Sequence, residues 1–382
     1  MKKKTASLIT ALILLLTFNL PVYAQIDTSA KSAVLMCLEN GEVIYSKNPD
    51  KKMPMASTTK IMTSLIALEQ GIPNKEIVVT DKMVSVEGTS MGLLAGDSVS
   101  FKELIYGMLL QSGNDAAHSV ACIVSGSENE FSKLMNNRAA KIGMNNTSFA
   151  TASGLDSENH YSTAYDMALL ACECLKNPEF VSICSIKTAK LTYGNPPYPR
   201  TLTNHNKLLW SYDGCIGVKT GFTKKSGRCL VSAARRNGIT LVAVTLNAPD
   251  DWNDHISMFD YGFSQMKSFE LNTDISDITL KVCGGKQNCV SVCQAYSVSY
   301  PADGKGYSCK ILMRKFEYAP IIKGETVGRI IYYSNGKEIA SVPLLAKDSV
   351  DYKEAVEAPE KKNEGVLSGI AKLFNIQRWI IN

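Results

Sequence analysis

Residues 54–71, PMASTTKIMTSLIALEQG, place Ser57, two threonines and Lys60 at the head of an apolar helical pattern. Hydroxyl side chains at the start of a helix accept hydrogen bonds from free backbone N–H groups, so a capping role is one interpretation. The other is chemical, because residues three positions apart on a helix share a face, and an unprotonated lysine can deprotonate a serine. The spacing alone does not decide, since Ser264 and Lys267 repeat it.

A second motif, Ser112-Gly113-Asn114 in LLQSGNDAAH, interrupts an apolar helical pattern. A serine hydroxyl can pass a proton from a base to a leaving group, and an asparagine amide can hold both a lysine and a carbonyl group. The same S-x-N pattern starts at Ser127 and Ser157. Ser112 is the stronger candidate, because it interrupts an apolar helical pattern, and a buried loop at such a place suggests a functional role.

A third motif, Lys219-Thr220-Gly221 in GVKTGFTKKSG, lies on a predicted strand and occurs once in the chain. A cation and a hydroxyl at that place can bind a carboxylate, and a glycine allows a ligand backbone to approach closely. Taken by itself, a lysine and a glycine at a strand end before a turn is the simpler interpretation. The functional argument therefore depends on the three motifs together.

The order of the predicted elements indicates an α+β domain over residues 25–268. Residues 32–46, SAVLMCLENGEVIYS, alternate apolar and polar positions around Asn40-Gly41, which predicts a β-hairpin. A long helical block follows, in which Thr163 and Asp166 form a capping pattern. Strands at both ends of such a block are expected to join one antiparallel sheet. Residues 269–348 show short strand patterns and predict a small all-β, sandwich-like domain.

Both ends of the chain carry segments outside these domains. Residues 1–24 have a basic start and an apolar stretch, which predicts a cleaved signal peptide, with an uncleaved anchor as the alternative. Residues 349–365 are charged and predict a linker. In residues 366–382, VLSGIAKLFNIQRWIIN, apolar side chains share one helical face, and the segment is too short to span a bilayer. We expect an amphipathic helix on the outer face of the cytoplasmic membrane, a helix docked on the preceding domain being the alternative.

Composition and charge exclude several classes of protein. Of the net charge of +5, three charges belong to the predicted signal peptide, so the mature chain is nearly neutral and is not expected to bind nucleic acid. The eleven cysteines are scattered without a CxxC pair, which indicates neither a zinc site nor a regular disulfide framework. No metal or cofactor is expected. Small buried thiols are one interpretation, and a disulfide among Cys283, Cys289, Cys293 and Cys309 is the other.

The order S-x-x-K, S-x-N, K-T-G is that of class A β-lactamases and penicillin-binding proteins. With the stretches PMASTTKIMT, LLQSGNDAA, AAKIGMNNTSF, HYSTAYDMA, NHNKLL, GVKTGFT and DYGF, the chain resembles the D-alanyl-D-alanine carboxypeptidases of family S11 from about Ser32 to Phe263. These enzymes are the low-molecular-mass penicillin-binding proteins. The resemblance implies a penicillin-binding, β-lactamase-like transpeptidase fold for the first domain, and the export signal, β domain and tail also resemble the family's layout. It further implies hydrolysis of the terminal D-alanine from peptidoglycan stem peptides, and acylation by β-lactam antibiotics.

The resemblance also implies roles for single residues. Ser57 would attack the carbonyl between the two D-alanines, Lys60 would be the general base, and Ser112 would relay the proton to the departing D-alanine. The backbone N–H groups of Ser57 and of the residue after Gly221 would form the oxyanion hole, and the two threonines of the third motif would hold the terminal carboxylate. The residues implied to hold the substrate are Asn114, Lys219, Thr220, Gly221, Phe222 and Thr223.

The chain departs from the family pattern at two places. Ser153 precedes Gly154 where many relatives have a histidine, and the stretch DDWNDH offers only His255 where relatives often have an arginine for the substrate carboxylate. His160 and His205 are expected to be structural or to form hydrogen bonds within loops.

Three other functions stay open at this point. A class A-like β-lactamase would need an acidic base for water, for which Glu158 and Asp156 are the candidates in the loop. A D,D-endopeptidase would cut cross-links between stem peptides with the same machinery. A non-catalytic wall-binding sensor would merely be acylated by penicillin.

Overall fold

The structure is a computed structural model that describes residues 26–71, 76–271, 273–302, 306–334 and 336–354. The predicted signal peptide, most of the predicted linker and the predicted tail helix lie outside these residues. Within the described ranges, no helix has the length and apolar character needed to cross a membrane.

The strands, in chain order, are β1 (Ser32–Cys37), β2 (Val43–Lys47), β3 (Glu76–Val78), β4 (Ser98–Ser100), β5 (Thr188–Gly194), β6 (Pro197–Thr203), β7 (Cys215–Thr223), β8 (Gly227–Arg236), β9 (Ile239–Leu246), β10 (Lys267–Leu271), β11 (Thr279–Cys283), β12 (Cys289–Gln294), β13 (Val298–Ala302), β14 (Ser308–Met313), β15 (Glu317–Tyr318), β16 (Thr326–Ser334) and β17 (Lys337–Ala346). The α-helices are α1 (Lys60–Glu69), α2 (Asp81–Val84), α3 (Phe101–Leu109), α4 (Asn114–Ser125), α5 (Glu128–Ile142), α6 (Ala164–Cys174), α7 (Pro178–Cys184), α8 (Leu208–Ser211) and α9 (Asp251–Gln265), and a 3₁₀ turn over Ala56–Thr59 precedes α1. The described chain forms two compact units, of which the first runs to Leu271 and includes Ser299–Gly306.

The main sheet of the first unit joins strands from the two ends of the domain, as predicted. Its order is β2-β1-β9-β8-β7, so β7 with the third motif is an edge strand. All six residues of β1 are buried. Val34 and Met36 pack into the core formed with the helical block, whereas Ala33 and Leu35 pack into a second core with α9. A sheet covered on both faces favours a continuous apolar strand, which explains why the SAVLMC half of the predicted hairpin does not alternate in burial.

The turn and the helix cap predicted from the sequence are present in the structure. The turn of the predicted hairpin contains Gly41 with φ +72°, the conformation for which glycine is suited. At the start of α6, Thr163 Oγ1 accepts from the backbone N–H of Asp166 at 3.0 Å, so the predicted cap is confirmed. Helix α1 is buried from its first residue, Lys60, to Ala67, which places the lysine of the first motif inside the domain.

The second unit is all-β in the residues described, which confirms the predicted class. Its strands follow the order β14-β16-β17-β12-β11-β15. The chain continues to pair after β17, because Val350 bridges to Ile321 and Tyr352 bridges to Gly285. The first residues of the predicted linker are therefore attached to this unit.

The eleven cysteines all lie in the described ranges and all are free. Cys37, Cys174, Cys184 and Cys229 are buried and pack as small apolar groups, in line with the first interpretation. The alternative of a disulfide among the last four cysteines is wrong for this structure.

Candidate active site

The hydroxyl groups in the 3₁₀ turn before α1 have different partners. Thr58 Oγ1 donates to the carbonyl oxygen of Met55 at 2.6 Å, and Thr59 Oγ1 donates to that of Ala56 at 2.8 Å. Ala56 has φ +48°, a conformation that costs a residue with a side chain free energy, so its surroundings must hold the turn. Ser57 Oγ lies instead 2.9 Å from Lys60 Nζ. The threonines stabilise the turn, and the serine hydroxyl faces the lysine.

Lys60 Nζ has oxygen neighbours on three sides. Besides Ser57 Oγ, it contacts Asn114 Oδ1 at 2.7 Å and the carbonyl oxygen of Ser153 at 2.6 Å. The side chain is fully buried. Burial, helped by the positive charge of Lys219 and opposed by Asp115, holds the pKa of Lys60 well below its usual range. The sequence prediction that Ser57 and Lys60 share one face is confirmed by this contact.

The carbonyl group of Ser153 reaches Lys60 because its loop lies directly against the turn of Ser57. Gly154 has φ +91°, and a Cβ on it would stand 2.0 Å from the carbonyl oxygen of Ala56. Only glycine fits at this distance. The loop that departs from the family pattern at Ser153 thus supplies a backbone acceptor to the lysine.

The second motif is held by the residue that follows it. Ser112 is buried with φ +61°, at the break between α3 and α4. Asn114 Nδ2 donates to the carbonyl oxygen of Glu87 at 2.7 Å, which directs its Oδ1 to Lys60. The buried carboxylate of Asp115 accepts from the backbone N–H groups of Met91 at 2.9 Å and of Leu93 at 3.0 Å, so the loop before α3 is fastened to the motif.

The third motif brings a second buried lysine and a glycine to the same place. Lys219 is buried, and its Nζ donates to the carbonyl oxygen of Thr220 at 2.9 Å. Burial lowers the pKa of Lys219 to about 7. A Cβ on Gly221 would stand 3.0 Å from the carbonyl oxygen of Met55 and 3.1 Å from the amide nitrogen of Ser57. Glycine therefore lets β7 pack directly on the serine turn.

These motifs line one cleft of about 770 Å³. Five of the predicted residues are in its wall: Ser57, Ser112, Thr220, Gly221 and Phe222. The wall also contains residues that the sequence analysis did not single out: Thr89, Thr203, Asn204, Lys207, Trp210, Arg228, Asp251 and Trp252. Phe222 is 65% exposed at the mouth.

Thr223 has a different environment from the one expected. Its hydroxyl lies 3.0 Å from Ser226 Oγ and 3.1 Å from Asp156 Oδ1, and it accepts from the backbone N–H of Ser226 at 2.9 Å. It is not in the cleft wall formed by the described residues. These bonds close the turn between β7 and β8, which argues against Thr223 as a carboxylate ligand.

Residues 20–250 match the D-alanyl-D-alanine carboxypeptidase family, peptidase S11, and residues 263–366 match the C-terminal domain of penicillin-binding protein 5. The chain belongs to the S11 family. It is 34% identical over 374 residues to the D-alanyl-D-alanine carboxypeptidase DacF of Bacillus subtilis, which covers 92% of this chain and 95% of the relative. It is 33% identical over 347 residues to DacC of Escherichia coli, with 85% of each chain covered.

The solved structures support the same assignment. Penicillin-binding protein 5 from Haemophilus influenzae has a TM-score of 0.62 and 29% identity, covering 86% of this chain and 99% of that chain. The S11 chain therefore has the two-domain fold of penicillin-binding protein 5, a penicillin-binding domain followed by a β domain, as the resemblance predicted. It is a serine hydrolase, and acylation of the serine, including acylation by β-lactams, is general for the family.

Two histidines of the S11 chain, His160 and His255, are buried and hydrogen-bonded to other groups of the protein. His160 Nδ1 accepts from the backbone N–H of Ala150 at 3.0 Å, so Nε2 carries the proton and donates to Thr59 Oγ1 at 2.8 Å. Burial lowers the pKa of His160 to about 4. His255 lies inside, between Ser232 Oγ and Thr245 Oγ1, and burial lowers its pKa to about 3. His255 therefore does not take the place of the arginine that relatives often have, because a buried neutral imidazole cannot bind a substrate carboxylate.

His205 differs from these two, because it lines the cleft of the S11 chain. Burial and the charge of Lys219 lower its pKa. His205 lies in the loop between β6 and α8, and its expected role within that loop stays a prediction.

The acidic residues considered for water activation do not reach the cleft of this S11 chain. Asp156 accepts from Thr223 Oγ1, and neither Asp156 nor Glu158 is among the described residues of the cleft wall. Asp251 is in the wall, but it is bonded to Arg228 at 2.6 Å. In the described part of the chain, no three His, Cys, Asp or Glu side chains form a cluster that could hold a metal ion.

Proposed function

We propose that this S11 enzyme is a D-Ala-D-Ala carboxypeptidase that removes the terminal D-alanine of peptidoglycan stem peptides through an acyl-enzyme on Ser57. The observation that carries the proposal is the set of oxygen atoms around Lys60 Nζ. A neutral amine has two N–H groups and one lone pair. The oxygens of Asn114 and Ser153, at 2.7 and 2.6 Å, accept the two N–H groups, which leaves the lone pair for Ser57 Oγ at 2.9 Å. In that state Lys60 takes the hydroxyl proton.

Acylation begins when Ser57 Oγ bonds to the carbonyl carbon between the two D-alanines, while its proton passes to Lys60. The backbone N–H groups of Ser57 and Phe222 stabilise the tetrahedral oxygen. The C–N bond then breaks, and the nitrogen of the departing D-alanine receives the proton from Lys60 through the hydroxyl of Ser112. Support for this relay comes from the position of Ser112 in the same cleft wall as Ser57.

Deacylation reverses the proton path with water as the nucleophile. Water adds to the ester carbonyl, its proton moves to the basic group, and the Ser57 oxygen leaves as a hydroxyl. Asn114 holds Lys60 throughout, and Lys219 supplies positive charge that favours the neutral form of Lys60. A β-lactam would acylate Ser57 by opening its ring amide, and the leaving nitrogen would stay tethered in the cleft.

The peptide would lie along β7, since an edge strand offers unpaired backbone groups to an extended ligand. Thr220, Gly221 and Phe222 then form the wall beside the scissile bond. Among the hydroxyl groups expected at the substrate carboxylate, Thr220 is in the cleft wall, while Thr223 serves the turn.

We further propose that the enzyme acts outside the cytoplasm. Support comes from the sequence alone: residues 1–24 have the pattern of an export signal, and residues 366–382 have the apolar face of a helix that lies on a membrane surface. The peptidoglycan substrate lies on the same side of the membrane.

The test follows release of free D-alanine from diacetyl-Lys-D-Ala-D-Ala by the purified enzyme. Wild type should release it and Ser57→Ala should not. Ser264→Ala is the matched control, because Ser264 has the same spacing to a lysine but its Oγ donates to the carbonyl oxygen of Tyr261 at 2.7 Å on α9. No release by wild type, or equal release by Ser57→Ala, contradicts the proposal. Rapid turnover of penicillin would indicate a β-lactamase instead, and a preference for cross-linked stem peptides an endopeptidase.

A further inference from the structure

The cleft contains an arginine that belongs to none of the three motifs. Arg228 lies near the start of β8 and lines the same cleft as Ser57. Strands β7 and β8 are antiparallel, and Phe222 is paired directly with Arg228. Directly opposed residues, and residues two apart on one strand, project from the same face of a sheet. Arg228 therefore shares a face with Phe222 and Thr220.

The guanidinium group of Arg228 is held from one side. Its Nε and Nη2 both donate to Asp251 Oδ1, at 3.0 and 2.6 Å, and its Cζ lies 5.4 Å from the centre of the Trp252 ring. The Asp251 side chain is 3% exposed and that of Arg228 is 41% exposed. A guanidinium has five N–H donors, so the buried carboxylate leaves donors free for a second anion.

The position of Arg228 along β7 matches the length of the substrate. The terminal carboxylate of D-Ala-D-Ala is one residue away from the scissile carbonyl, and consecutive Cα atoms are about 3.8 Å apart. In the proposed mechanism the scissile carbonyl oxygen lies at the N–H of Phe222, the residue paired with Arg228. A carboxylate that close to Phe222 is within reach of an arginine side chain on the neighbouring strand.

Other cations near the site are less suitable for this task. Lys60 and Lys219 are buried, and both already bond to oxygen atoms of the protein. Lys207 lines the cleft, but it immediately precedes α8 and is on neither of the paired strands β7 and β8. Its ammonium group is also a point charge, whereas a guanidinium matches the two oxygens of a carboxylate.

We propose that Arg228, positioned by Asp251 and Trp252, binds the terminal carboxylate of the substrate and so selects peptides with a free D-alanine carboxyl end. This inference rests on the proposed function, because it needs the scissile bond to lie beside Phe222. Asp251 is a positioning residue: it offsets the charge of the arginine, so selection comes from directed N–H groups. A peptide whose last carbonyl is an amide or is joined to another chain gives these groups no carboxylate.

The experiment compares two substrates of the purified enzyme, diacetyl-Lys-D-Ala-D-Ala and its C-terminal carboxamide. Cleavage of either gives the same product, diacetyl-Lys-D-Ala, so one chromatographic readout serves both. Wild type should prefer the acid. In Arg228→Gln the ratio of kcat/KM for acid over amide should fall by about tenfold or more, since a charge-assisted bond is lost. The rate on the amide should fall much less than the rate on the acid, and a circular dichroism spectrum and Tm like those of wild type show that the variant is folded. Arg228→Lys should give an intermediate ratio.

Two further variants separate Arg228 from general charge effects. Lys224→Gln removes one positive charge from the exposed turn after β7 and should keep the ratio of wild type. Lys207→Gln tests the other cation of the cleft wall. An unchanged ratio in Arg228→Gln overturns the inference, as does a ratio that collapses in Lys207→Gln alone. A parallel loss on both substrates in Arg228→Gln would show a structural role and also overturns it.

A second readout distinguishes this inference from the proposed function. Acylation of Ser57 is measured with benzylpenicillin, which has a free carboxylate, and with its methyl ester. If wild type cleaves neither peptide but Arg228→Gln loses the preference for the acid penicillin, the proposed peptidase function fails and the carboxylate site stands. If Arg228→Gln keeps that preference while wild type cleaves the peptide, the site fails and the function stands.

Discussion

Lys60 Nζ lies 2.7 Å from Oδ1 of Asn114, although the two residues are 54 positions apart in the sequence. The other end of the same amide donates to the carbonyl oxygen of Glu87 at 2.7 Å, so the oxygen of Asn114 and not its nitrogen faces the lysine. An amide oxygen accepts an N–H from a neutral amine as well as from an ammonium group. Asn114 thus holds Lys60 in place without fixing a positive charge on it.

Asn114→Asp should convert this neutral contact into an ion pair. A carboxylate 2.7 Å from the amine would raise the pKa of Lys60, which would then keep its proton at neutral pH. We expect the rate of acylation by a fluorescent penicillin to fall about 100-fold at pH 7 and to recover partly at high pH. The control is Asn129→Asp, which changes the exposed asparagine of another S-x-N pattern, on α5. Equal rates in the two variants would contradict this role of Asn114.

Lys219→Gln should move the pH dependence of acylation. The pKa of Lys60 is lowered mainly by burial and further by the charge of Lys219, so removing that charge raises it. Because Lys60 is active only without its proton, activity is lost as the pH falls through this pKa, and the acid limb should move to higher pH by about one unit. The measurement is the acylation rate between pH 5 and 10. The control Lys224→Gln removes an exposed charge from the same part of the chain and should leave the acid side of the pH profile where it is in wild type. If the acid side does not move in Lys219→Gln, the charge of Lys219 does not lower the pKa of Lys60.

Gly221→Ala should displace the serine turn. The added Cβ would lie 3.0 Å from the amide nitrogen of Thr58 and 3.1 Å from that of Ser57, which is closer than ordinary van der Waals contact. We expect acylation to slow by about tenfold or more, since small misplacements of reacting groups are costly, with a modest change in Tm. Gly306→Ala is the control, because nothing lies within 4 Å of its added Cβ. Normal acylation in Gly221→Ala would show that the turn can move without consequence.

Deletion of residues 366–382 should shift the enzyme from the membrane to the soluble fraction without lowering activity on the peptide. The segment lies outside the described residues, so the prediction depends on its sequence pattern. Point variants sharpen it: Leu373→Glu places a charge on the apolar face and should also release the protein, while Asn375→Glu on the opposite face should not. Unchanged fractionation after the deletion would favour the docked helix or an uncleaved N-terminal anchor.

Motifs whose chemistry depends on neighbours in sequence could be predicted from the chain. Ser57 and Lys60 are one helical turn apart, and the Thr163 cap is completed three residues later, so local spacing determines both contacts. The contact between Asn114 and Lys60 depends on the fold of the whole domain, and the sequence indicated it only through the order of the motifs. The double-sided burial of β1 was missed because the polar positions lie in the partner half of the hairpin.

The sequence did not identify a cation for the substrate carboxylate. His255 stands in the sequence where relatives often have an arginine, but Met258 and Phe259 beside it on α9 are buried, and this pattern already indicated an inner position. Arg228 carries no motif. Its place opposite Phe222 follows from the tight turn that Thr223 and Ser226 close, so pairing the two strands through that turn would have found it.

The two ends of the catalytic domain are joined by Ser29, whose backbone N–H and hydroxyl donate to the carboxylate of Asp254 at 2.8 and 2.7 Å across 225 residues of sequence. Strand β1 leaves the ribosome long before β9, its partner, has been made. Until β9 and then α9 have been made, the face of β1 that carries Ala33 and Leu35 lacks most of its cover, and contacts between such distant segments form slowly. The main sheet of the catalytic domain can therefore close only after the chain through β9 has been made, and we expect a chain truncated before β9 to show no acylation of Ser57.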